Sequence, residues 1–254
     1  MIMTYINFHS FINIDASKEE MLDKPIYRIF NLEKFLDIFA QNSLTLVKPN
    51  LWDDPFENFL LNNVATTDKG ERVSFSPIRE KLYGQCWTYN KETDFMWRVY
   101  APNKDGIKVK TTIRKLYNEF VAKHHDKKAL VFIGNVEYDD WEKIKKYFEA
   151  LKLTDIFMDT SGQSIVSTLL IKRTEFLPEK EIRIIYWSNW FSAEGSKIVH
   201  MSVDPNKLFE EVTVDPRIDK IRFESIKKII TKVGYTGQIN HSELYSIPYL
   251  TLKM

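Results

Sequence analysis

The segment whose residue types most suggest chemistry is Glu179-Lys180-Glu181-Ile182-Arg183, with Lys172-Arg173 just upstream. Pro178 marks the start of a strand. Alternation along it predicts Glu179, Glu181 and Arg183 on one face and Ile182, Ile184 and Tyr186 on the other, buried one. Two carboxylates on one face can polarise a nucleophile and steady a cationic transition state. A solvated strand face with Glu–Arg pairing explains the same residues, and both readings stand. Tyr27-Arg28 is the second chemical segment. An arginine on a strand that runs into a helix N-terminus offers a planar fork of donors to phosphate, and the helix end adds partial positive charge. On the dipeptide alone, a surface arginine paired with a carboxylate is the favoured reading.

Two further segments combine charge with aromatic surface. In Trp52-Asp53-Asp54-Pro55-Phe56-Glu57, the residues Asp54, Pro55 and Glu57 fit the N-cap, first and third positions of a helix. The competing reading takes Asp53, Asp54 and Glu57 as carboxylates for a metal or a catalytic base, and capping explains two of the three with no further assumption. In Phe95-Met96-Trp97-Arg98-Val99-Tyr100, a Trp beside an Arg could sandwich a nicotinamide, an adenine or a nucleobase. A core tryptophan is the more common use of that residue. Gly106 is predicted to permit a tight turn into the next strand. Cys86, the only cysteine, sits in an apolar strand where packing is favoured over reaction. The five histidines show no metal-ligand spacing, and no metal site is predicted.

The elements that must position these residues begin with Ile26-Tyr27-Arg28-Ile29-Phe30, a strand by its period-two alternation. Asn31 caps a helix in which Leu32, Phe35, Leu36 and Phe39 recur at helical spacing, and Leu44–Val47 is a second strand. Leu82–Tyr89, Ile107–Thr111, Leu130–Tyr138, Glu181–Trp187, Lys197–Val203 and Glu211–Val214 are further predicted strands. Helices are predicted over Thr93–Tyr100, from Ile113 to Val121, from Asp140 to about Met158, over Ser164–Ile171 and over Phe223–Lys232. Interleaved in this way, they predict an α+β fold with a mixed, mostly antiparallel sheet and flanking helices. Residues 1–25 are expected to be a variable lead-in, and 26–254 a single domain, because no repeat, linker or composition break divides them.

The 36 Lys plus Arg balance 35 Asp plus Glu, for a net charge of +1. Such a chain lacks the basic field that non-specific nucleic-acid binding needs, although a local basic groove is compatible with it. Without a signal segment or a long apolar run, no membrane association is expected, and a cytoplasmic location follows as the default. Familiar nucleotide signatures are absent: there is no phosphate-cradling glycine-rich loop, no dinucleotide fingerprint and no nucleophile elbow.

Taken in order, Tyr27-Arg28, Asp54 to Glu57, Met96 to Tyr100 with Gly106, Glu179 to Arg183 and Asp215 to Arg217 resemble an uncharacterised bacterial domain family, from about residue 26 to the C-terminus. That likeness implies no activity. A more distant one is to ADP-ribosyltransferases, whose split sheet opens with a strand carrying Arg or His and ends with a catalytic Glu, often as Glu-x-Glu. It implies NAD as cosubstrate. Arg28, beside Tyr27, would hold the pyrophosphate; Trp97 or Tyr100 would stack on a ring; Glu181 would stabilise the transition state; Glu179 would orient the acceptor. The Ser-Thr-Ser strand of those enzymes has no counterpart at the expected distance.

Three functions are therefore open. The leading one is a nucleotide-using transferase or glycohydrolase, with NAD preferred and the acceptor unassigned. The second is a metal-dependent nuclease using Asp53, Asp54, Glu57 and Glu181. The third is a non-catalytic module in which Arg28, Arg183 and tryptophans recognise a nucleotide or a protein. The enzyme reading requires Arg28 and Glu181 to meet at one cleft with an aromatic wall.

Overall fold

The computed structural model describes residues 10–52, 54–66, 69–124, 129–188 and 196–248. Ten strands form its main sheet: β1 (Phe11–Ile12), β2 (Pro25–Asn31), β3 (Ser43–Val47), β4 (Leu82–Thr88), β5 (Gly106–Thr112), β6 (Ala129–Asn135), β7 (Glu181–Ser188), β8 (Ile198–Ser202), β9 (Glu211–Val214) and β10 (Gln238–His241). Their order is β1-β6-β7-β4-β2-β5-β9-β10, with β8 on β3 and β3 on β4. Only the β1/β6 and β9/β10 pairs of this sheet are parallel. The fold is thus α+β with a mostly antiparallel mixed sheet, as the interleaved pattern predicts.

Local chemistry starts the helices. Asn31 Oδ1 accepts from the Lys34 amide at 2.9 Å to open α1 (Leu32–Gln41), which ends on Asn42 in the left-handed region at φ 47°. Thr93 Oγ1 accepts from the Met96 amide at 3.2 Å and opens α2 (Asp94–Tyr100). Asp140 and Asp219 cap α3 (Trp141–Ala150) and α4 (Lys220–Lys232) in the same way. The helix predicted to reach Met158 is broken in two: it stops at Ala150, where Leu151 turns extended and leans on the core, and a short helix resumes over Leu153–Met158.

Both faces of the sheet are covered. On one, Phe35, Ile38 and Phe39 of α1 pack over Ile26, Phe30, Ile107 and Val109; on the other, Leu169 and Leu170 pack with Phe132 and Ile185. Strand β7 is central and feeds both cores, Ile182 and Ile184 into the first and Ile185 into the second. A strand buried on both sides has no wet face. Of the alternative reading, a solvated strand face with Glu–Arg pairing, the pairing holds at 2.6 Å and the solvation does not: the Glu181 and Arg183 side chains are 6% and 0% exposed. The lead-in expected over residues 1–25 also joins the structure, since Phe11 and Ile12 form β1 and Leu22 is buried in the first core. Among the described residues, no helix is long and apolar enough to cross a membrane.

One irregularity in the sheet creates the site. Strand β2 meets β4 at Tyr27–Thr88, whereas β3 meets it at Val47–Gly84. The two neighbours part along Gln85-Cys86-Trp87, and side chains fill the break: Gln85 Nε2 donates to the Thr45 carbonyl at 3.1 Å, and Arg28 Nη1 donates to the Cys86 carbonyl. An edge whose carbonyls lack a strand partner needs such donors. Gly84 lies at the rim of the split, where a Cβ would come within 2.5 Å of the Trp52 ring.

Candidate active site

Arg28 stands in the split and lines a cavity on each side of it. The first, about 70 Å³, is walled by Tyr27, Cys86, Trp87, Met96, Tyr100 and the Glu179–Glu181 pair; the second, about 390 Å³, includes Lys34, Asp37, Thr45, Gln85 and His200. Among the described residues Arg28 makes no ion pair: its hydrogen bond goes to a carbonyl, and its enclosed Nε has no partner. Burial outweighs the pull of Glu181 and brings its pKa below the usual arginine value. A partly desolvated guanidinium with unused donors is costly until an anion completes it.

Across the first cavity sit two carboxyls of unlike character. Glu179 belongs to the short 3-10 helix Thr174–Glu179, not to the strand as predicted; Lys180, left-handed at φ 45°, turns the chain so that β7 starts at Glu181. Thr88 Oγ1 donates to the Glu179 carbonyl at 2.5 Å, and Asn90 Nδ2 to the Pro178 carbonyl at 2.6 Å, which ties this turn to the end of β4.

Glu181 accepts from Lys172 Nζ at 2.8 Å and from Arg183 Nε at 2.7 Å. Burial alone would raise its pKa, but Arg183, the bond shared with Glu179, and Lys172 outweigh it and hold Glu181 ionised. Glu179 has only Lys172, at 2.6 Å, and burial together with its bond to Glu181 pushes it up to about 8. One carboxyl that stays charged beside one that titrates near neutrality is the division of labour acid–base chemistry uses.

Beneath the pair lies a closed ring of charge. Glu57 meets Lys172 at 2.9 Å and Arg183 at 2.9 Å, so two cations alternate with Glu57 and Glu181. Arg183 Nη1 also donates to the Leu169 carbonyl at 2.6 Å, and its guanidinium centre lies 4.5 Å from the centre of the Trp52 ring.

Of the residues singled out in the sequence, the structure brings Tyr27, Arg28, Tyr100, Glu179 and Glu181 around one cavity. Two do not join them. Trp97, expected as a stacking wall, is wholly buried; Nε1 donates to Glu92 at 2.7 Å, and its ring lies so near Gly106 that a Cβ there would approach it to 2.8 Å. That contact also corrects Gly106, which serves close packing, while Lys104 takes the positive φ of the turn. Arg183, expected to bind cofactor, spends its donors inside the ring. Trp87 and Tyr100 supply the aromatic wall instead.

The Asp54–Glu57 segment divides. Asp54 Oδ1 accepts from the Phe56 amide at 3.0 Å with Pro55 at the first helical position, as capping predicts, and it also pairs with Arg173 at 3.2 Å. Glu57 caps nothing and belongs to the charged ring. Asp53 lies outside the described residues. The carboxylates that a metal-dependent nuclease would need are held by cations, Asp54 by Arg173 and Glu57 and Glu181 by Lys172 and Arg183; among the described residues no group of three ligands could hold a metal ion. Cys86 faces the cavity, but burial, helped by nearby Glu181, pushes its thiol up to about 12, so it stays protonated. Asp215 and Arg217 are structural: Arg217 grips Asp215 and donates to the Trp97 and Ala101 carbonyls at the end of α2, the helix that carries Tyr100. Sequence reasoning gave Lys172 no role beyond its place in a basic dipeptide, and it read Glu57 as a helix cap or a metal-binding or basic carboxylate, not as the partner of Lys172 and Arg183.

Comparison with solved structures finds Thermus sp. 2.9 DarT in complex with carba-NAD+ (9% identity, TM-score 0.39, 87% of this chain and 96% of that chain). The same protein is matched in complex with NAD+ (9% identity, TM-score 0.40, the same shares) and with ADP-ribosylated ssDNA (8% identity, TM-score 0.40, 87% and 95%). No curated protein matches. Residues 96–184, which hold the Met96–Tyr100, Gly106 and Glu179–Arg183 motifs, match the family model described as "Protein of unknown function (DUF2971)", and over that stretch the resemblance seen in the sequence is borne out.

Proposed function

We propose that the split binds a dinucleotide, with NAD preferred, and that the protein transfers its ADP-ribosyl group to an acceptor or to water. The observation that carries this reading is the placement of an uncompensated Arg28 between two cavities, one of which also holds Glu179 and Glu181. A dinucleotide has the matching form: a pyrophosphate in the middle and a ring-bearing arm on either side. Arg28 would take the pyrophosphate, and Tyr27, Trp87 and Tyr100 would face the ring of the arm in the first cavity. NAD, when bound, supplies the bond between ribose and nicotinamide that breaks, the electron pair leaving with nicotinamide.

Glu181, ionised and lining the cavity, would stabilise the positive charge that develops on the ribose. Glu179, ionised as the pH passes about 8, would accept the proton that the attacking hydroxyl or amine gives up. Lys172 and Arg183 already neutralise Glu181, and this pairing favours the second reading, a module that binds a nucleotide without turnover.

Incubation with NAD labelled in its adenosine part separates the two. Nicotinamide release is followed with water, protein, RNA and single-stranded DNA as acceptors. The enzyme reading expects release by the wild type and its loss in Glu179→Gln. Binding without release under every condition leaves the module, and no binding removes both.

A further inference from the structure

Glu179 is the fifth member of a cluster that is balanced without it. Lys172 and Arg183 supply two positive charges, and Glu57 and Glu181 supply two negative ones, each carboxylate touching both cations at 2.6–2.9 Å. Glu179 reaches Lys172 alone, at 2.6 Å, and it is the more exposed of the paired carboxyls at 12% against 6%. An additional negative charge there has no cation left to itself.

We infer that Glu57 is a positioning residue: by occupying Lys172 and Arg183 from the far side, it leaves Glu179 as the carboxyl without a cation of its own and so governs when Glu179 holds a proton. Glu57 does not line the cavity, and its contacts are with Lys172 and Arg183, through which it acts on Glu179. The surroundings agree. From β4, Thr88 binds the Glu179 backbone and Cys86 stays a neutral thiol; from α2, Tyr100 brings a neutral phenol; Tyr138 receives the Glu181 amide at 2.8 Å and is likewise neutral. Arg28 is the one cation among the described residues that line the cavity, and it pairs with no carboxylate among them. Glu181 and Lys172 act on Glu179 directly, and Glu57 acts on it through the balance it sets with Lys172 and Arg183.

This inference goes beyond the proposed activity and holds without any nucleotide. It is tested by carbon-detected NMR titration of the glutamate carboxyls in the full chain, free of NAD, with Glu179 assigned by its loss in Glu179→Gln. The wild type is expected to titrate at about 8. Glu57→Gln should lower that midpoint by about one pH unit or more, because the freed cations then favour the Glu179 carboxylate. Glu57→Asp disturbs the same packing but keeps the charge, and its midpoint should stay near that of the wild type. An unchanged midpoint in Glu57→Gln, or an equal fall in Glu57→Asp, overturns the inference. Should Glu57→Gln not fold, Lys172→Gln decides with the opposite sign: removal of a cation raises the midpoint, and no rise overturns the scheme. None of these outcomes depends on whether NAD binds.

Discussion

Arg28 and Arg183 are two arginines drawn out of water by the same sheet, and they differ in company. Arg183 is surrounded by Glu181 and Glu57, a carbonyl and the Trp52 ring; burial opposes its charge, yet Glu181 and its neighbours push its pKa up. Arg28 has one carbonyl, the Phe30 ring 5.2 Å away and an orphaned Nε, and burial pulls its pKa down. A guanidinium with every nitrogen engaged is part of the scaffold. One with donors to spare, on the wall of two cavities, is placed for a ligand.

The comparison can be broken at either end. The largest effect is expected from Arg183→Leu, which strands two buried carboxylates and should destabilise the chain by about 3–5 kcal/mol in urea unfolding. A smaller loss would mean that the ring is looser than its distances suggest. Next comes Glu179→Gln, expected to lower the proposed ADP-ribosyl transfer roughly 100-fold in initial rate with little loss of stability, since it removes a proton acceptor and no essential cation partner.

The same substitution sharpens a pH signature. The folded-state value for Glu179, about 8, lies above the ordinary 4.5, so the folded chain binds this proton more tightly than the unfolded one. The stabilisation is complete below about 4.5 and is lost as pH rises through 8. Unfolding free energies at pH 5, 6.5 and 8 should fall with pH in the wild type and fall less in Glu179→Gln. The smallest effect belongs to Cys86→Ala. It should leave transfer within about twofold, and the wild-type thiol should alkylate slowly at pH 7, because burial keeps it protonated.

How much of this was legible in the sequence follows from the range of each interaction. The β2–α1–β3 opening was readable because alternation, the Asn31 cap and the spacing of Phe35 and Phe39 are all local. So was the candidate site in outline, since Arg28, Tyr100, Glu179 and Glu181 stand out by residue type. What was not legible depends on contacts distant in sequence. Whether Glu181 and Arg183 face water depends on β7 being central, and whether Glu57 caps a helix or closes a charged ring depends on Arg183. Trp97 shows the ambiguity of aromatic residues: one side chain type serves core and binding wall alike, and only the approach of Gly106 assigns this one to the core. The left-handed Lys180, which moves Glu179 off the strand, carries no signal in its residue type.

The most direct test of an anion site at Arg28 is calorimetric titration of NAD into the wild type and into Arg28→Gln, with thermal unfolding of both free proteins. The expected result is binding by the wild type, weakened roughly 10- to 100-fold in the variant as charge-assisted hydrogen bonds are lost, with a melting temperature equal to or above that of the wild type because an uncompensated buried charge has gone. Equal affinity in the two proteins, no affinity in the wild type, or a variant that melts well below it would contradict the assignment.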